Sequence, residues 1–70
     1  MEYIRSIKVV AAGKESSIPS FETLWAFLNE LPEDEPVTLE LDSNKMTRKE
    51  DFPNPMEASE WASGVLDKLM

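Results

Sequence analysis

The chain contains no cysteine and no histidine, and it has only two glycines among its 70 residues. The first absence excludes disulfide staples and thiolate metal sites. The second removes imidazole acid-base chemistry along with Ser-His and Cys-His nucleophile pairs. With glycine present only at Gly13 and Gly64, no phosphate-cradling loop of the GxGxxG or Walker type can be written. Long apolar runs are missing as well. The N-terminal MEYIRSIKVVAAG offers about seven mostly apolar residues broken by Lys8, too short for a signal peptide or a membrane span. Together with the missing disulfides, this places the expected compartment in the reducing cytoplasm. Cations are scarce, 7 against 14 acidic residues, for a net charge of -7. Such a field repels nucleic-acid phosphates and anionic membranes, so neither direct nucleic-acid binding nor membrane association is expected. Charge of this size also keeps a small domain soluble.

What is present describes one domain over residues 1 to 70, since a chain this short buries only about 60% of its unfolded surface and supports one modest core. YIRSIKVVA sets Tyr3, Ile7, Val9 and Ala11 on one side against Glu2, Ser6 and Lys8, which is strand periodicity with Arg5 out of pattern. Ile4 and Val10 fall on the polar side. AAGKESS has turn composition, with Gly13 the natural position for positive φ. A helix is expected after Ser20 as N-cap, with Phe21, Leu24, Trp25, Leu28 and Leu31 at helical spacing, Phe27 at the edge of that arc, and Pro32 preventing continuation.

Val37, Leu39 and Leu41 then alternate with Thr38, Glu40 and Asp42, a strand covered on one face. MTRKEDF alternates weakly and reads either as a short edge strand, its charges discouraging edge-to-edge pairing, or as a loop. Asn54-Pro55-Met56-Glu57 combines an N-cap, a proline at the first helical position and a glutamate that can close a capping box. Ala58, Trp61, Ala62, Val65, Leu66 and Leu69 form the stripe of the helix that follows. Gly64 within it hints at close packing or a bend.

The expected fold is therefore an α/β (α+β) two-layer sandwich. Two or three strands carry two amphipathic helices on one face, in the order strand, helix, strand, optional strand, helix. A right-handed crossover through the first helix would make the first two strands parallel neighbours. Trp25 and Trp61 lie in helix stripes and are expected to face each other across the core, not to form a binding hot spot.

Several constellations can be set aside. Asp42-Ser43-Asn44 begins like a calcium loop, but Thr47 stands where the glycine of position six is needed and Pro53 where the bidentate glutamate belongs. No metal or cofactor is expected. Paired-carboxylate catalysis needs one acid in an apolar cleft, and every acid here falls on a helix face, strand face or loop predicted to be exposed. No enzymatic activity is expected. The basic cluster of Lys45, Arg48 and Lys49 is balanced by Glu50 and Asp51.

The acids around ELPEDEPVTLELD remain. Glu30, Glu33, Asp34 and Glu35 surround the loop, and Glu40 and Asp42 point outward from the strand that follows. Alternate strand residues stand ~6.6 Å apart, close to the ~7 Å between alternate phosphates of a nucleic-acid strand, so such a row can imitate a phosphate backbone. These six are the expected contacts to a protein partner with a basic surface.

In size, acidity and lack of catalytic residues the chain is similar to phage-borne inhibitors of host defence, such as anti-CRISPR proteins, and to nuclease-neutralising immunity proteins. Through KVVAAGKESSIPSFETLWAFLNEL and PVTLEL it also loosely resembles part of the barstar-like immunity fold. These likenesses imply an inhibitor that occupies a nucleic-acid-binding surface. The alternative expectation is a structural or assembly module, either a homodimer or a docking subunit, using an exposed Ile4 and Val10 or a free sheet edge.

Overall fold

The computed structural model describes residues 1 to 69. Its elements in chain order are β1 (Ile4–Ala11), β2 (Lys14–Ile18), α1 (Phe21–Asn29), β3 (Val37–Ser43), β4 (Thr47–Phe52) and α2 (Pro55–Leu69). The four strands form one sheet in the order β2-β1-β3-β4, with every neighbouring pair antiparallel. The class is α+β, in two layers: the apolar stripes of both helices join the inward residues of the sheet in one core.

Each helix starts where its cap dictates. Ser20 Oγ accepts from the Thr23 backbone N–H at 3.2 Å, and Asn54 Oδ1 accepts from the Glu57 N–H at 2.9 Å. Glu57 returns the contact side chain to side chain, its Oε2 accepting from the Asn54 side-chain amide at 3.0 Å. Leu24 and Leu28 of α1 and Ala58, Ala62 and Val65 of α2 are buried, and the larger stripe residues pack around them half-buried. β3 alternates strictly, with Val37, Leu39 and Leu41 at most 2% exposed. Burial of each such side chain stabilises by about 1.5–3 kcal/mol, so this strand is the centre of the core.

Several sequence-based expectations need correction. First, the sheet has four strands, because AAGKESS is not only a turn. Ala12 at φ 53 and Gly13 at φ 75 form a two-residue hairpin connection, and β2 returns along β1 with Ala11 opposite Lys14 and Ile7 opposite Ile18. KESSI hides this strand because Ile18 is its one buried residue.

Second, β1 and β3 are antiparallel, not parallel. The hairpin reverses the chain before α1 begins, so the parallel crossover joins β2 to β3 with β1 inserted between them. The order strand, strand, helix, strand, strand, helix also differs from the one on which the barstar-like likeness rested.

Third, a β-bulge between Ile4 and Ser6 shifts the phase of β1. Arg5 was out of pattern because it is the extra residue. Ile4 consequently lies opposite Ser43 on the helix-facing side and packs against the core, while Tyr3 is 57% exposed. Val10 stays on the open face at 37% exposure.

Residues Thr47–Phe52 do form the edge strand, bringing Arg48, Lys49, Glu50 and Asp51 to that edge. The tryptophans are half-buried but do not pair with one another. Trp25 packs against Phe21 with ring centroids 5.7 Å apart, and Trp61 against Phe52 at 5.4 Å. A Cβ built on Gly64 meets nothing within 4 Å, so that glycine serves no close packing.

Candidate functional site

The two ends of the sheet treat their acidic residues differently. At the end where β1 begins and β3 turns into β4, acids are tied into the fold. Glu2 receives both arms of the Arg48 guanidinium, at 2.8 and 3.2 Å, and the Ser43 hydroxyl at 2.5 Å. Ser43 is 1% exposed, and its Oγ also accepts from the backbone N–H groups of Lys45 and Met46 at 3.1 and 3.0 Å. Asn44 completes the stitch. Its Oδ1 accepts from the Tyr3 N–H at 2.8 Å, its own N–H donates to the Tyr3 carbonyl, and its side-chain amide donates to the Met1 carbonyl.

The Arg48 hydrogen bonds, followed by the one from Ser43, hold the Glu2 carboxyl well below the usual carboxylate range, at about 2. The same contact raises Arg48 above its ordinary value. Glu2 is thus held ionised, the reverse of what a general acid requires. This cluster fastens the N-terminal residues to the β3–β4 turn. Sequence reading missed it because its partners are 41 to 46 residues apart.

The other end carries the α1–β3 loop, ~20 Å away by the six strand steps from Ser43 to Val37. Glu30 caps the C-terminus of α1. The Glu35 N–H donates to the Pro32 carbonyl at 3.1 Å, closing a turn whose corners are Glu33 and Asp34. Glu30, Glu33 and Asp34 are exposed and Glu35 is half-buried. Among the described residues, none of these four carboxylates has an ion-pair or side-chain hydrogen-bond partner. The chain has no lysine or arginine from Glu15 through Asn44, nor from Glu50 through Asp67, so the loop and the segment from the end of β4 into α2 carry no cation. The cation at this end of the sheet is Lys14, beside the β1–β2 hairpin, where Ala11 pairs with both Lys14 and Val37.

Glu40 and Asp42, the remaining expected contacts, are on the open sheet face but in mixed company. Glu40 stands in register between Lys8 and Lys49. Asp42 faces Arg5 at 3.5 Å and accepts from the Thr47 hydroxyl at 2.9 Å. That ion pair is 54% and 33% exposed at its two side chains, so it contributes little to stability, yet it offsets the negative potential locally. One strand further, Asp51 accepts from Thr38 Oγ1 at 2.6 Å. The six candidate residues therefore divide between an uncompensated loop and a strand with cations beside it.

Two hollows flank the loop. Glu35 lines a shallow one at the open-face side with Val10, Thr38 and Asp51, about 410 Å³ in volume. Glu33 lines the other, about 510 Å³, on the helix side where the end of α1 approaches the start of α2. Among the described residues no group of three or more acidic side chains could hold a metal ion. No helix among them is long and apolar enough to cross a membrane. Compared with family models, with curated proteins and with solved structures, the chain matches none.

Proposed function

We propose that the protein is a non-enzymatic binding module that engages a basic surface of a protein partner through the acidic α1–β3 loop. The observation that carries this reading is the contrast within the candidate set: Glu30, Glu33, Asp34 and Glu35 have no cationic partner, whereas Glu40 and Asp42 stand beside Lys8, Lys49 and Arg5. Carboxylates without local compensation project their field outward, speed encounter with a basic partner and make it salt-sensitive. A surface that attracts them is one that ordinarily receives phosphates. Occupying it would inhibit nucleic-acid binding, as an anti-defence or nuclease-immunity protein of the phage-borne kind would. Glu40 and Asp42 extend the contact from the strand.

The alternative of docking or self-association through the open sheet face has less to stand on, because Ile4 packs against the core and Val10 is only 37% exposed. The deciding experiment captures partners from the native host at low and high salt. It compares the unaltered chain with a loop variant (Glu30→Gln, Glu33→Gln, Asp34→Asn, Glu35→Gln) and a strand variant (Glu40→Gln, Asp42→Asn). Capture is expected to be lost at high salt and in the loop variant, and only weakened in the strand variant. Undiminished capture by the loop variant would sink the proposal.

A further inference from the structure

The helix-side groove brings an apolar floor and acidic side chains together in one place. Its floor is apolar, made by Leu28 at 3% exposure and the buried Pro55, with Leu31 half-buried beside them. Met56 stands at its lining 71% exposed, a flexible apolar side chain of the kind that adapts to a partner. Glu33 from the loop and Glu60 from α2 supply its charge, and no lysine or arginine lines it. At about 510 Å³ it falls in the ~300–1,000 Å³ range of ligand pockets.

A purely electrostatic contact has no use for this floor. Apolar surface left open beside unpaired carboxylates is complementary to a segment that presents an apolar side chain between cations: the side chain loses water in the groove while the cations meet Glu33 and Glu60. A second copy of the chain is a poor match, since it would bring its own net charge of -7 to an acidic rim. We infer that this groove receives an apolar side chain of a basic protein segment, flanked by lysines or arginines that Glu33 and Glu60 hold. The inference rests on the acidic-loop reading above and adds the apolar anchor to it.

The test titrates two synthetic peptides into the isotope-labelled full chain and follows backbone amide shifts. One is an amphipathic lysine/leucine peptide; the other has every leucine replaced by glutamine at the same charge. The expected result is movement of the Leu28, Leu31, Met56 and Ser59 amides, with affinity at least tenfold weaker for the glutamine peptide. Met56→Lys, at an exposed position that leaves the fold intact, should weaken the leucine peptide by a similar factor.

Equal affinity for the two peptides, or shifts confined to the open sheet face, overturns the inference. So do groove amides that move with protein concentration alone, because a second copy would then be the occupant. The two proposals fail differently. If both peptides bind equally and the loop variant loses both, the groove falls and the acidic loop stands. If the loop variant retains the leucine peptide at full affinity, the acidic-loop reading falls and takes the role of Glu33 with it.

Discussion

Glu2 and Glu33 are the same residue type at opposite ends of one sheet, and they do different work because their neighbours differ. Glu2 accepts from a guanidinium and a buried hydroxyl, with its side chain 16% and that of Arg48 23% exposed, so its charge is used inside the fold. Glu33 sits at a turn corner with no donor and no cation in reach, so its charge is available to something outside. Acidity by itself therefore does not mark a functional residue. What separates the two residues is the placing of the cations: Arg5, Lys8, Lys45, Arg48 and Lys49 lie along the open face and the stitched end, Lys14 lies beside the β1–β2 hairpin, and none lies in the α1–β3 loop or the first half of α2.

Variants that weaken one end and spare the other test this contrast. The largest stability effect is expected at Ser43. Ser43→Ala leaves the Lys45 and Met46 N–H groups without their acceptor and Glu2 without its hydroxyl donor. The loss should be about 1–3 kcal/mol, read as a fall in the urea midpoint at unchanged slope. A value within error of zero would mean that solvent replaces the hydroxyl and that the stitched end is looser than its geometry.

Acid should act on the same end. Glu2 has its folded value lowered to about 2 from an ordinary 4.5, so its contribution is fully present above about pH 4.5 and is lost as pH falls through about 2. Comparing urea midpoints of the unaltered chain and Glu2→Gln across that window should show the advantage of the unaltered chain shrinking towards the acid end. A difference constant from pH 6 to 2 would break the assignment.

A smaller gain is expected at the hairpin. Ala12 holds φ 53, a left-handed conformation that costs an alanine roughly 1–2 kcal/mol and an asparagine less. Ala12→Asn, which creates Asn-Gly at the turn, should raise the melting temperature by a few degrees. The smallest effect is expected at the acidic end. Neutralising Glu30, Glu33, Asp34 and Glu35 together should change stability by no more than about 0.5 kcal/mol, because these side chains satisfy nothing in the fold. A large loss would show that the loop acids are structural after all.

Much of the architecture was legible in the chain, and its gaps have identifiable causes. Both helices could be read from a capping residue followed by apolar side chains at a 3.6 period, and β3 from strict alternation, since each of these elements buries one full face. β2 buries one residue and leaves no period to detect. β1 shows a broken period because the bulge at Arg5 changes the face of everything before it, which moved Ile4 into the core and Tyr3 out of it. Around the loop, Glu30, Glu33 and Asp34 are exposed as the sequence suggests, while Glu35 is half-buried. The sequence could not show that Lys8 and Lys49 flank Glu40, because cross-strand neighbours are set by register, and β1 pairs with β3 across the intervening β2 and α1 segments.

Sequence alone thus determined the class of fold, the inward faces of α1, α2 and β3, the absence of histidine and cysteine chemistry, and the excess of acid. These depend on local periodicity and composition, which the chain carries in its order. Tertiary structure decided which acids remain available. Whether a carboxylate is held by Arg48 from 46 residues away, lies between two lysines, or stands at a cation-free groove depends on which strands pair and in what register. Pairing of that kind follows from burying one face of the whole sheet at once, a condition that no single segment satisfies alone.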